Sequence, residues 1–199
     1  MRNASAETDR AWDKALSIRT SGQEYVTSAK YMPYEPTPYQ VLERLAGSGQ
    51  ISSSDHVLDY GCGKGRAAFF LAARTGCRVT GIDRSEKLIS IANENLEAFA
   101  RPDLVRFLLA DAEKYSPETE NVFYFFNPFS EAVLDVVLRR LMPRFMACPH
   151  ARMLFYYPGE PFLARLAREP GLRLAWEIDC RDLFGDSDPR EKIAVYDHP

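Results

Sequence analysis

Apolar positions along this chain fall into two rhythms, and the rhythms take turns. Short apolar runs occur at about 56–60, 78–83, 104–110, 122–126 and 152–157. Between them, apolar residues recur every three or four positions, the spacing of a helix with one buried face. The run Val122-Phe123-Tyr124-Phe125-Phe126 is apolar throughout, as a strand covered on both faces should be. Strand–helix alternation of this kind predicts an α/β domain around a parallel sheet. Leu172–Asp179 and Lys192–Tyr196 read as two further strands, giving seven.

Turn and cap residues set the expected helix limits. Residues 6–19 predict a short helix with Ala11, Trp12, Ala15, Leu16 and Ile18 partly on one face. Thr37 reads as an N-cap, Pro38 as a first helical residue and Gln40 as the reciprocal cap, with Val41, Leu42 and Leu45 inward and Gly47 or Gly49 as the stop. A helix with Ala67, Ala68, Phe69, Phe70, Leu71 and Ala73 ends at Gly76. Ser85 caps a helix running through Leu88, Ile89, Ile91, Ala92, Leu96 and Phe99, and Ser130 caps one from Glu131 to Leu141 that ends before Pro143. A last helix spans about Pro161 to Arg168.

The stretch Asp59-Tyr60-Gly61-Cys62-Gly63-Lys64-Gly65-Arg66 closes the first parallel strand. A strand running into a glycine turn and a helix N-terminus is a ligand-binding geometry, because glycine lets a ligand approach the main chain. The dinucleotide fingerprint spaces its glycines differently, and Arg66 stands where its third glycine would be. A carboxylate at Asp59 would repel a pyrophosphate but could accept hydrogen bonds from an ammonium group. Asp83, 24 residues later at the end of the second strand, suits the two hydroxyls of a ribose. Asp111 follows the third strand. In an open parallel sheet these three strand ends converge on one crevice.

The pattern Asp59-x-Gly61-x-Gly63-x-Gly65 resembles motif I of the class I S-adenosylmethionine-dependent methyltransferases. That resemblance implies a Rossmann-like seven-stranded sheet of order 3-2-1-4-5-7-6, strand seven antiparallel, with helices on both faces. It implies S-adenosyl-L-methionine as cofactor, with Asp59 and the glycines at its amino-acid end and Asp83 at its ribose. Asp111-Ala112-Glu113 resembles the family segment that meets the adenine. Tyr31–Tyr39, aromatic and proline-rich, resembles a proline-threonine segment that lines the cofactor pocket in some non-SET protein-lysine methyltransferases, which makes Tyr31 and Thr37 cofactor-lining candidates. Simple packing of these tyrosines on the sheet edge is the competing reading. Asn127-Pro128-Phe129 resembles a shortened Asn-Pro-Pro-aromatic motif of amino-group methyltransferases, in which the Asn side chain and the next carbonyl steer the target nitrogen and the aromatic stacks on a flat acceptor. The second proline is absent here. Asn127, Pro128 and Phe129 are thus the catalytic candidates, with Asn127 also near the cofactor and with Tyr34 or Glu35 as assisting groups.

Composition narrows the partners. The 25 basic and 28 acidic residues give a net charge of −3, which argues against nonspecific nucleic-acid binding. No apolar run reaches the ~20 residues of a membrane span. Met1–Thr20 lacks the apolar core of a secretory signal. The four cysteines form no C-x-x-C pair, so no metal site and reduced cytoplasmic thiols are the expectation. Residues 1–36 are expected to form a helical and extended cover and residues 37–199 the methyltransferase domain, with little room for a separate substrate domain. The acceptor is then a small molecule or a protein side chain. Three readings stay open: an amino-group methyltransferase, an oxygen-directed small-molecule methyltransferase, and a cofactor- or nucleoside-binding module without chemistry.

Overall fold

The computed structural model describes residues 6–23, 30–185 and 188–199. Parts of the expected N-terminal cover (1–5 and 24–29) and of the connection between the last two strands (186–187) lie outside the described residues.

Seven strands form one sheet: β1 His56–Tyr60, β2 Arg78–Asp83, β3 Val105–Leu109, β4 Val122–Phe126, β5 Arg152–Tyr156, β6 Arg173–Asp179 and β7 Lys192–Asp197. Their order is β3-β2-β1-β4-β5-β7-β6. The first five are parallel, and β7 runs antiparallel to both β5 and β6. Strand alternation divides the core in two. Val57, Val122, Tyr124 and Leu154 meet α2 (Tyr39–Gly47), α3 (Arg66–Thr75) and α4 (Glu86–Ala98). Leu58, Phe123, Phe125 and Met153 meet α5 (Glu131–Met146) and α6 (Glu160–Leu166) on the other face. Both faces are covered, which explains the apolar run of β4 and the run Met153–Tyr156 of β5. Tyr60, Phe125 and Phe155 stand in register on β1, β4 and β5 and stack at 4.6 and 4.5 Å.

The N-terminal helix α1 (Ala6–Ala15) packs on α2 and α3 through Trp12, whose ring lies 5.9 Å from Tyr39 and 4.9 Å from Phe70. No helix among the described residues is long and apolar enough to cross a membrane.

Three local expectations are corrected. Thr37 does not cap α2: the cap position is Pro38, and the Thr37 hydroxyl is instead hydrogen-bonded to the Tyr124 hydroxyl at 3.0 Å. Ser130 holds the cap position of α5 with no side-chain bond, whereas Ser85 does accept from Leu88 N–H at 3.4 Å. Helix α5 continues through Pro143 to Met146. A proline removes one helical donor and crowds the turn before it, and Phe145, fully buried beyond it against Phe123, holds the last turn against that cost.

Candidate active site

A cavity of about 400 Å³ opens at the carboxyl ends of β1, β2 and β4. That is within the ~300–1,000 Å³ range of small-molecule sites. Asp59, Gly61, Asp83, Ala112 and Asn127 line it, together with Tyr31, Thr37, Pro128 and Phe129.

The glycine turn shapes its floor. Gly61, Gly63 and Gly65 all have positive φ, at 74°, 55° and 89°. A side chain on Gly61 would come 2.8 Å from Pro128, and one on Gly63 would clash with the Tyr34 ring. Gly65 does not face the cavity; it is the left-handed cap of α3, and a side chain there would meet Phe107 and Phe69 at 2.5 and 2.8 Å.

The two cavity acids differ in their bonding. Asp83 accepts from Gly63 N–H at 3.0 Å and Ser85 N–H at 2.8 Å. Burial raises its carboxyl above the usual range, and those backbone donors oppose the rise. Asp59 is 4% exposed, and its Oδ2 is buried with no hydrogen-bond partner among the described residues. Burial, with Asp83 adding, pushes its carboxyl up to about 7. A buried carboxylate oxygen without a donor is costly unless something supplies one.

Asp111 stands one step back. Its neighbours Ala110 and Ala112 line the cavity, while its own Oδ1 accepts from Glu113 N–H at 3.0 Å and lies 3.2 Å from the Tyr31 hydroxyl. The acids at β1 and β2 therefore share the cavity, and the third stands behind its wall.

At the end of β4, Asn127 takes a left-handed backbone (φ 40°), which asparagine tolerates better than most residues. The carbonyl of Pro128 accepts from Met32 N–H at 3.2 Å. Phe129 departs from its expected role. It is 1% exposed, with its ring against Tyr60, Phe125 and Phe162, so it anchors the loop and offers no open face to a flat acceptor. Tyr34 is likewise committed: its buried hydroxyl donates to the Thr20 carbonyl at 2.6 Å. Glu35 remains exposed at the cavity mouth.

Arg66 and Tyr124 belong to the site although sequence reasoning gave them no role there. Arg66 is 2% exposed and lines the cavity. Its guanidinium donates to Thr20 Oγ1 at 2.7 Å and to Asp9 at 2.8 Å, and lies 4.4 Å over the Tyr39 ring. Asp13, beside it, accepts from Thr20 and from the Tyr39 hydroxyl. Tyr124 was findable, since strand alternation puts it on the same face as Asp59, its register partner on β1.

The strand order, the antiparallel seventh strand and an acid-lined cavity at the carboxyl ends of β1 and β2 define the class: a Rossmann-like, class I S-adenosylmethionine-dependent methyltransferase fold. Residues 57–144 match the family described as methyltransferase domain. This part of the chain is thus similar to a methyltransferase domain and sits in the class I methyltransferase fold, the class whose cofactor is S-adenosyl-L-methionine.

Among curated relatives, the chain is similar to trans-aconitate 2-methyltransferase of Paracidovorax citrulli, 34% identical over 45% of this chain and 33% of the relative. It is also similar to 27-O-demethylrifamycin SV methyltransferase of Amycolatopsis mediterranei, 33% identical over 52% of this chain and 34% of the relative. The chain spans about a third of the length of these relatives. An RNA methyltransferase from Salinibacter ruber, solved with S-adenosyl-L-homocysteine, shares the fold. It has a TM-score of 0.60 at 19% identity, over 81% of this chain and 91% of that one.

The residues present fit the cofactor. Asp59 Oδ2 is a buried acceptor lacking a donor, as an ammonium group would require, and Gly61 leaves the backbone bare where a side chain would strike the opposite wall.

Proposed function

We propose that this chain transfers a methyl group from S-adenosylmethionine to an amino group of a small molecule or a protein side chain. The observation that carries the reading is the unpartnered Asp59 oxygen in a cavity of this size, at the end of the sheet where the Asn127 loop also stands. In this reading Asp59 holds the cofactor's ammonium group, Asp83 its ribose, and Ala110, Ala112, Tyr31 and Asp111 surround the adenine. Bound there, S-adenosylmethionine supplies a methyl group on a positively charged sulfur that leaves as a neutral thioether.

The chain's own contribution is alignment, which is worth roughly 7–11 kcal/mol in well-oriented reactions. The Asn127 side-chain oxygen accepts an N–H of the neutral amine and so aims its lone pair at the methyl carbon. As the new N–C bond forms, the S–C electrons go to sulfur and the amine nitrogen must release a proton. Asn127 is too weak a base to take it. Glu35, exposed at the mouth, passes it to solvent.

A second reading is favoured by one contact. Met32 N–H already occupies the Pro128 carbonyl, so one of the two oxygens that would steer an amine is in use. In that reading the acceptor atom is oxygen, as the name of the rifamycin relative implies for that protein, and Asn127 serves only to shape the loop.

Calorimetry with S-adenosylmethionine, S-adenosylhomocysteine and NAD tests the cofactor. Both sulfur compounds are expected to bind and NAD is not; tighter NAD binding would overturn the assignment. Transfer of tritiated methyl to size-fractionated cell extract then separates macromolecular from small acceptors. Base-lability of the label identifies a methyl ester, and release of labelled methyl iodide by hydriodic acid under conditions that leave N-methyl groups intact separates a methyl ether from a methylated amine.

A further inference from the structure

Residues 31–37 line the cavity in one unbroken run, and this strap is fastened on both sides of the mouth. On one side it pairs antiparallel with the loop after β4. Tyr31 lies opposite Phe129, Met32 N–H donates to the Pro128 carbonyl at 3.2 Å, and Ser130 N–H donates to the Lys30 carbonyl at 2.8 Å. From there Tyr31 reaches the turn after β3. Its hydroxyl donates to Glu113 at 2.9 Å and lies 3.2 Å from Asp111, with the Arg84 guanidinium 4.2 Å over its ring. On the other side Tyr34 is folded onto Gly63, and the Thr37 hydroxyl meets that of Tyr124.

The two fastenings are unequal. Tyr34 and Thr37 are 9% and 4% exposed and continuous with the Arg66 cluster, since the Thr37 carbonyl accepts from Arg66 at 3.4 Å. The Tyr31 side is half-buried, next to an exposed Met32 and to a Lys30–Glu113 pair at 3.7 Å with the lysine largely in water. A stretch held by solvent-accessible hydrogen bonds opens before one held by a buried cluster.

We infer that residues 30–33 form a gate for cofactor exchange, hinged beside the buried Tyr34 and latched at Tyr31. The inference rests on the reading of the cavity as the cofactor site. The latch uses Asp111, the acid beside the proposed adenine position, and the carbonyl of Pro128 in the proposed acceptor loop. Releasing it therefore exposes both halves of the cavity together. Product leaves by the same movement, and gate opening is then a step that limits turnover.

The Tyr31–Phe129 register gives the test. The two residues form a non-hydrogen-bonded antiparallel pair, a geometry with Cα atoms about 4.5 Å apart, within reach of a disulfide. In the variant Tyr31→Cys/Phe129→Cys, S-adenosylhomocysteine binding is followed by calorimetry and stopped-flow before oxidation, after oxidation and after reduction. The Tyr31→Cys single variant serves as oxidant control. The expected result is that oxidation shuts ligand out of the empty protein, traps it in preloaded protein, and is reversed by reductant. Equal association and dissociation rates in oxidised and reduced protein would overturn the gate. If the wild-type chain itself fails to bind S-adenosylhomocysteine, the cofactor reading falls instead. Tyr31→Phe, which keeps the ring and removes the latch bonds, provides a second measurement should the paired variant not fold. It is expected to speed S-adenosylhomocysteine release about tenfold, the loss of roughly one charge-assisted hydrogen bond, and a release rate equal to wild type overturns the proposal.

Discussion

Asp59 and Asp83 enter the same cavity from adjacent strands, yet among the described residues only Asp83 is supplied with donors. The difference makes Asp59 the proton-sensitive member of the pair, with its carboxyl pushed up to about 7 by burial and then by Asp83. Only the ionised form attracts an ammonium group. Cofactor affinity is therefore expected to rise with pH through about 7 and to level off above it, with a limiting slope of about tenfold per pH unit on the acid side. Titration calorimetry from about pH 5.5 to 7.5 measures this, and an affinity flat across that interval contradicts it.

The same carboxyl opposes folding of the cofactor-free protein. Its folded value lies above the ~3.9 of an unfolded aspartate, so the folded state binds the proton more tightly. That stabilisation is complete below about 4 and is lost as pH rises through about 7. Asn mimics the protonated acid. Asp59→Asn is expected to raise the melting temperature of the cofactor-free protein at pH 8, by an amount corresponding to at most about 4 kcal/mol, and to do little at pH 4. It should also abolish cofactor binding. Thermal denaturation at the two pH values checks the sign.

Gly63 and Tyr34 occupy complementary space, and Gly63 has a φ of 55°. Gly63→Ala combines a left-handed penalty of about 1–2 kcal/mol with displacement of the Tyr34 ring from its bond to Thr20. A total loss of about 2–4 kcal/mol is expected in urea denaturation. Adding Tyr34→Ala should recover the steric share and leave the backbone share. Full additivity of the two changes would count against this contact.

Arg66 is a buried cation whose acids come from α1. Arg66→Met keeps the stem but leaves Asp9 and Asp13 without their cation, a change that typically costs about 3–5 kcal/mol. Limited proteolysis should then cut the N-terminal segment first. Unchanged stability and unchanged digestion would show that the cluster does not hold α1.

Asn127→Gly removes the amide without forcing a Cβ into a left-handed position. If the side chain steers an amine, turnover is expected to fall about tenfold to hundredfold, the equivalent of one well-placed hydrogen bond of 1.5–3 kcal/mol, with cofactor affinity unchanged. Single-turnover kinetics on the identified acceptor separates the two quantities. Undiminished turnover supports the oxygen-directed reading.

Much of this molecule is legible in its sequence because its signals are local. Apolar runs mark the five parallel strands to within a residue or two, and Gly76 stops α3 where expected. The strand order came from the resemblance around Asp59 and the glycines rather than from any periodicity. What escaped reading depends on distant partners. Thr37 carries every local mark of a cap, but a tyrosine 87 positions away takes its hydroxyl. Pro143 carries every mark of a stop, but packing at Phe145 outweighs one lost donor. Phe129 sits at a motif position that suggests an exposed ring, whereas the aromatic side chains of β1 and β4 draw it inward. Arg66, at the first turn of a helix, looks like any solvated charge until Asp9 and Thr20 are brought to it across 57 and 46 residues.

The Arg66 cluster also sets how this protein can be cut. A fragment begun at Thr37 would retain the guanidinium at the lip of the glycine turn and lose Asp9, Asp13, Thr20 and Ser21, the side chains that neutralise it or accept its hydrogen bonds there. The seam that looks natural in chain order thus runs through the electrostatic lining of the cavity, and a trimmed version would have to replace the arginine as well.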